Sequence, residues 1–318
     1  MIQPLLRFGK AFFALIILWG APSPALGYSV NDSGDSLRIT VSDGTELYVT
    51  VRGEGIPCLY IHGGPGVGSY WMAQLYGDVL EKHFTMIYLD QRGSGRSESA
   101  ASGDYSLERI SKDIEEVREL LGYTSWITFS HSFGGIIQIK HAQLYPDHIK
   151  AMLMVAPTLS LNESISAMID YSLEVLEIKD DERPSHLDET KYPFDRLMPL
   201  FGRMREKGIF WKYHYGDPAN YAIMDSVMAE VQNPNYEFSN RSFALAEYYA
   251  NYKMLTPNID IPVLLYFGHK DYAVGPNHYE NINFPKMTLH FWDGAHVPFM
   301  EGREELEVSM TNWLKTIQ

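Results

Sequence analysis

Five short stretches, residues 58–61, 85–89, 126–129, 151–155 and 263–267, are apolar at nearly every position, a sixth at 288–291 carries Leu289 and Phe291, and helical stretches separate most of them. A strand with one wet face alternates apolar and polar residues, whereas a strand covered on both faces reads as a continuous apolar run. The pattern therefore predicts an α/β fold: a mostly parallel sheet with helices on both faces. Residues 36–41 and 47–52 do alternate, around Asp43-Gly44, and are expected to open the sheet as a hairpin. Residues 106–121 carry apolar side chains at Leu107, Ile110, Ile114, Val117 and Leu121, the spacing of one helix face, with Ser106 placed to cap it.

The alternation stops after Pro157 and resumes at Ile261. The intervening chain is rich in Tyr and Met and contains Trp211, with breaks expected at Pro184, Pro193, Pro199, Gly208, Gly216-Asp-Pro218 and Asn233-Pro234. So many aromatics would not stay solvated, so residues 158–258 are expected to form a helical cap inserted into a core made of residues 28–157 and 259–318. Residues 1–27 differ from the rest: Arg7 and Lys10 precede an apolar run, and Ala25-Leu-Gly27 supplies a small-x-small site. This is the pattern of a secretory signal peptide cleaved near Gly27, which predicts a secreted or periplasmic protein, with an uncleaved anchor as the alternative. With 26 Lys and Arg against 40 Asp and Glu, the formal net charge is −14, which disfavours nucleic acid as a partner. Cys58 is the single cysteine, so no intramolecular disulfide can form.

Chemistry is concentrated where the apolar runs end. The run at 126–129 passes into Ser130-His-Ser-Phe-Gly134 and then a helical sequence. A strand–turn–helix of this kind needs small residues two before and two after its apex, and it lifts the apex hydroxyl clear of the backbone, which makes Ser132 the candidate nucleophile. After Ile61 comes His62-Gly-Gly-Pro-Gly66, whose glycines allow close backbone approach; the amides of Gly64 and Phe133 are the expected oxyanion donors. After Leu89, Asp90-Gln-Arg-Gly-Ser-Gly-Arg-Ser97 is a turn-rich segment expected to brace these loops, its glycine spacing fitting neither a P-loop nor a dinucleotide fingerprint. Asp271 follows the run at 263–267, and His296 follows the last strand. Ser, then Asp, then His is the chain order of a triad on this architecture, with His296 as base and Asp271 as its orienting acid. Asp293 is closer to His296 in sequence, but its place three residues earlier on the same loop suits a turn. No His/Cys/Asp cluster has zinc-like spacing, and no metal or cofactor is expected.

From residue 47 onward the chain resembles the proline iminopeptidase group of α/β-hydrolases, most specifically in His62-Gly-Gly-Pro-Gly66 and Asp90-Gln-Arg-Gly-Ser-Gly95. The resemblance implies eight strands, a helical cap after the sixth, the triad Ser132, Asp271 and His296, and release of an N-terminal residue, often proline, from small peptides. It also implies acidic cap residues that hold the free amine. Glu237 in Asn233-Pro-Asn-Tyr-Glu-Phe238 and Glu247 in Ala244-Leu-Ala-Glu-Tyr-Tyr249 are the positions that match, and Trp211, Tyr248 and Tyr249 are expected to wall a proline ring. The elbow departs from the group's Gly-Gly-Ser-Trp-Gly and is closer to that of esterases. A carboxylesterase or lactonase with the same triad is thus the alternative, discriminated by whether cap carboxylates converge on Ser132: an ammonium withdrawn from water needs them and an ester does not. A ligand-binding protein without activity would be expected to lack a catalytic residue, and a Ser at 132 excludes the carboxylate nucleophile of epoxide hydrolases.

Overall fold

The computed structural model describes residues 27–30, 36–179, 181, 183, 186, 188 and 190–317. The leader up to Leu26 and the expected break at Pro184 lie outside the described residues. Nine strands among these residues form one sheet: β1 (Gly27–Val30), β2 (Ser36–Thr40), β3 (Glu46–Arg52), β4 (Ile56–Ile61), β5 (Phe84–Leu89), β6 (Trp126–His131), β7 (Ile149–Val155), β8 (Val263–Gly268) and β9 (Met287–Trp292). Their order is β1-β2-β3-β5-β4-β6-β7-β8-β9. β1, β2 and β3 run antiparallel, β3 meets β5 antiparallel, and every pairing from β5 through β4 to β9 is parallel. The eight expected strands are β2–β9, and the short β1 is added at the edge. Gly44 takes φ 86° in the β2–β3 turn, a conformation that favours glycine.

The apolar runs are explained by their two destinations. Leu59 and Ile61 of β4, Met152 and Met154 of β7, and Val263, Leu265 and Phe267 of β8 belong to one buried cluster. Their neighbours Cys58, Tyr60, Ala151, Leu153, Val155, Leu264 and Tyr266 belong to the other. Successive side chains point to opposite faces, so both parities must be apolar once helices cover both faces. On the first face lie α3 (Leu107–Leu120) and α4 (Gly134–Leu144); on the second lie α1 (Tyr70–Leu75), the one-turn α2 (Gly77–Leu80) and α10 (Arg303–Leu314), which follows the short α9 (Pro298–Glu301). α3 begins as its sequence indicates, the Ser106 side chain accepting from the Arg109 N–H at 3.2 Å.

Between β7 and β8 the chain forms α5 (Leu161–Val175), α6 (Pro193–Glu206), α7 (Pro218–Met228), α8 (Glu237–Ser242) and several 3-10 turns. Pro193 occupies the first turn of α6 and Pro218 that of α7, where a missing N–H costs nothing. Pro199 does not break the chain as expected but lies inside α6, where burial of Leu197, Leu200 and Met204 outweighs the lost backbone bond. The cap loop is tied to the core at the 90–97 segment: Gly95 and Asn235 exchange backbone hydrogen bonds of 3.0 and 2.7 Å. Among the described residues no helix is long and apolar enough to cross a membrane.

Candidate active site

The carboxyl ends of β4, β6 and β9 converge on one cavity, as the crevice rule for parallel sheets requires, and the loop after β8 brings Asp271 to His296. At the end of β6, Ser132 has φ 56°, an uncommon conformation for a residue with a side chain, costing on the order of 1–3 kcal/mol. Its surroundings hold it there. The Ser132 N–H donates to Val155 O at 3.3 Å, and the Ser132 carbonyl accepts from Thr158 N at 2.8 Å and Gly135 N at 2.9 Å. Gly134 is required because a Cβ there would collide with the carbonyl of Ile61 at the end of β4. At the other small position the Ser130 hydroxyl is absorbed by Gln138, donating to its Oε1 at 2.5 Å, while Gln138 Nε2 donates to Thr128 Oγ1 at 2.8 Å. This is how the elbow accommodates a Ser at its first small position.

His296 Nδ1 and Asp271 Oδ2 are 2.8 Å apart, both residues buried. The second oxygen of Asp271 accepts from the N–H groups of Ala273 and Val274 at 3.0 and 3.1 Å, which fixes the carboxylate. Gly268 lets the β8 loop reach the histidine loop, since a Cβ there would strike the carbonyls of Gly294 and Ala295. Asp293 instead pairs with Lys270 at 2.8 Å and is 79% exposed. Ser132 and His296 line the same cavity, without a direct Oγ–Nε2 hydrogen bond among the described residues.

The glycine loop after β4 lies against the elbow. A Cβ on Gly63 would be 2.8 Å from Ser132 Cβ and 3.1 Å from Phe133 N. Among the described residues neither the Gly64 nor the Phe133 N–H donates to a protein acceptor, and Phe133 is the residue that leads into α4, whose positive end adds to the field there. His62 is locked beneath them: its Nε2 accepts from Gln91 N at 3.0 Å, and burial lowers its pKa, so it is neutral. Asp90 braces the next turn, accepting from Ser69 N at 2.6 Å and Arg96 Nε at 2.7 Å.

The cavity holds about 220 Å³ and is walled by Val67, Trp71, Met224, Met228 and Val297 around Ser132 and His296. Two further histidines enclose the base. The His131 ring lies 4.5 Å from that of His296 and hydrogen-bonds the His296 carbonyl through Nε2 at 3.0 Å; the His214 carbonyl accepts from the His296 N–H at 3.0 Å. Both backbone polar groups of His296 are thereby held. Burial, with the neighbouring His296, pushes His131 well below its ordinary pKa and His214 down to about 3, so both are neutral. Sequence reasoning missed both as site residues: His131 stands next to Ser132 in the motif, but nothing around His214 in the sequence marks it.

The expected cap ligands do not join Ser132. Glu247 Oε1 accepts from the Leu107 N–H at 3.2 Å, a carboxylate drawn to the positive end of α3. Glu237 forms an ion pair with Arg241 at 3.3 Å on the surface. Tyr248 is buried, stacked on Phe133 at 5.3 Å, its hydroxyl donating to Tyr105 O at 2.7 Å; it packs cap to core and walls no cavity. The Tyr249 hydroxyl donates to Phe243 O at 2.9 Å, and its ring meets Tyr192. Trp211 packs against the second core cluster, and its carbonyl accepts from the N–H groups of His214 and Tyr215, setting the turn that presents those two residues instead. No carboxylate is among the residues that line the cavity.

Comparison with known proteins agrees with this fold. The family model described as alpha/beta hydrolase fold matches residues 57–303. A proline iminopeptidase of Neisseria gonorrhoeae is 32% identical over 130 residues, which are 40% of this chain and 41% of that protein, so the match spans well under half the length of the relative. The bifunctional epoxide hydrolase 2 of Sus scrofa is 24% identical over 307 residues, 87% of this chain and 55% of that protein. Among solved structures, a proline iminopeptidase-related protein of Thermus thermophilus superimposes with a TM-score of 0.70 at 19% identity, covering 92% of this chain and 98% of its own. An esterase of Exiguobacterium antarcticum gives 0.65 at 19% identity, covering 87% and 98%.

Proposed function

The chain belongs to the α/β-hydrolase fold family, and on that premise we propose that it is a serine hydrolase that cleaves small carboxylic esters through an acyl-enzyme. The observation that carries the reading is the cavity wall: Val67, Trp71, Met224, Met228 and Val297 offer apolar contact, and no lining carboxylate waits for an ammonium. Burying an uncompensated ammonium there would cost several kcal/mol; a neutral ester incurs no such cost.

In this reading Ser132 Oγ attacks the ester carbonyl while His296 Nε2 takes its proton, and Asp271 at Nδ1 fixes the tautomer and stabilises the imidazolium. The carbonyl oxygen, now an oxyanion, accepts from the free amides of Gly64 and Phe133. His296 returns the proton to the alcohol oxygen as the C–O bond breaks. Water, deprotonated by His296, then attacks the acyl-serine, and the same oxyanion is stabilised before the acid leaves and Ser132 is restored. The hydrogen bonds from His131 and to His214 keep the His296 loop still through both half-reactions.

The 32% identity to proline iminopeptidases over 130 residues supports a second reading, release of N-terminal proline from peptides. A side-by-side assay of a short-chain aryl ester and a prolyl arylamide separates them. The ester reading expects kcat/KM at least about a hundredfold higher on the ester, with both activities absent in Ser132→Ala. Preferred cleavage of the free-amine arylamide would transfer the conclusion to the peptidase.

A further inference from the structure

Six side chains that line the cavity carry a polar atom, and among the described residues those of Trp71, Ser132, His214 and Tyr215 make no hydrogen bond within the protein. His131 holds the His296 carbonyl, and His296 is bound to Asp271. Among the described residues the His214 ring has no hydrogen-bond partner: it has ring contacts with Phe210, Tyr213, Tyr215 and His296, and its backbone alone is used. The Tyr215 hydroxyl is also without one, with Asp225, Glu301 and Tyr221 as its neighbours. The half-buried imidazole lines the cavity, so a polar group that enters can pair with it. Its ring centre is 5.6 Å from that of His296, the group that delivers a proton to the departing oxygen. Whatever His214 meets is therefore carried on the alcohol side of the scissile bond.

We propose that His214 is a specificity-determining residue that hydrogen-bonds a second oxygen on the leaving alcohol, so that the preferred substrates are esters of glycol- or glycerol-type alcohols rather than of simple alkanols. The inference rests on the ester reading above. Burial holds the ring neutral, with a pKa of about 3, so it can donate through one nitrogen and accept through the other. It meets a hydroxyl in either sense without placing a second positive charge beside the imidazolium that His296 becomes. A site built to hydrogen-bond a substrate hydroxyl discriminates against the analogue that lacks it, because the protein group is then left unpaired.

The test compares ethyl butyrate with 2-hydroxyethyl butyrate by pH-stat, reading the ratio of their kcat/KM values. The wild-type ratio is expected to favour the hydroxyethyl ester by about tenfold or more, the effect of one buried hydrogen bond. His214→Phe should bring the ratio to about one, and His214→Gln, which keeps a donor and an acceptor, should retain a ratio above that of the Phe variant. A wild-type ratio near one overturns the proposal without any variant, so a failure of His214→Phe to fold does not shelter it; an unchanged ratio in a folded His214→Phe overturns it too. Labelling of Ser132 by a fluorophosphonate runs in parallel. Labelling with equal turnover of both esters removes the His214 role and leaves the ester reading standing, whereas labelling with turnover of neither ester removes both.

Discussion

Replacing Gly63 by alanine isolates the geometry of the nucleophile from its chemistry, because no reacting group is altered. The added methyl would lie 2.6 Å from His131 O and 2.8 Å from Ser132 Cβ. Both neighbours belong to the elbow, one of them backbone and the other a Cβ, so no flexible side chain can swing away. Ordinary van der Waals contact would require them to retreat by about 0.6–0.8 Å, and a displacement of about 1 Å at a reacting atom costs on the order of a hundredfold. Overpacking of this kind also costs about 1–3 kcal/mol of stability. Gly63→Ala is thus expected to lower kcat/KM on a short-chain aryl ester by about a hundredfold while the protein still unfolds cooperatively at a modestly lower temperature. Gly202→Ala, in a helix with nothing within 4 Å of the new methyl, is the matched control and should gain about 0.5–1 kcal/mol with unchanged turnover. Activity of Gly63→Ala above about a third of wild type would refute the close fit of loop and elbow on which the calculation rests.

Three further outcomes follow from other parts of the structure. Asp271→Asn should lower kcat by about ten-thousandfold with little change in KM, since the carboxylate fixes the His296 tautomer without touching substrate; a loss confined to KM would contradict that role. Glu247→Gln should cost about 0.3–1 kcal/mol by weakening the charge at the start of α3, and should affect ester and free-amine substrates equally; a loss selective for the free amine would return this carboxylate to the site. In acid, stability should be complete above about pH 6.5 and fall progressively below it. Burial holds His214 and His278 at about 3 in the fold, so the unfolded chain, with ordinary imidazoles near 6.5, binds the additional protons. Below about 4.5 a further loss sets in: burial raises the Glu115 carboxyl, but hydrogen bonds with His141, Arg118 and His148 outweigh it and hold it down to about 2, a stabilisation that disappears as the pH falls toward that value. Urea midpoints measured from pH 7.5 to 4 check the sign, and a flat profile from 7 to 5 would contradict it.

The sheet was legible because burial on two faces leaves an unambiguous apolar run, and the elbow because steric crowding at Gly134 leaves only the smallest residue. Ser132, Asp271 and His296 could be found from the ends of those runs, since the parallel topology gathers strand ends in one crevice. The cap was less readable, because its side chains have several ways to be satisfied. Glu247 has the surroundings of a ligand in the sequence, yet a helix end across the cap boundary takes its carboxylate, and no local pattern announces a partner 140 residues away. Tyr248 likewise answers to Phe133 in the elbow. Pro199 reads as a terminator until the burial of α6 is known. His214 reaches the site only through the fold of the turn that follows Trp211, so its place beside His296 could not be read from spacing.

The most direct test is whether Ser132 becomes covalently acylated or phosphonylated. Intact-mass and peptide-level measurement after reaction with a fluorophosphonate should find a single adduct on the peptide that carries Ser132, and Ser132→Ala should take up none and lose at least about a thousandfold in ester turnover while keeping its unfolding temperature. An adduct on another residue, or a purified Ser132→Ala variant that keeps more than about a tenth of wild-type turnover, would contradict the assignment.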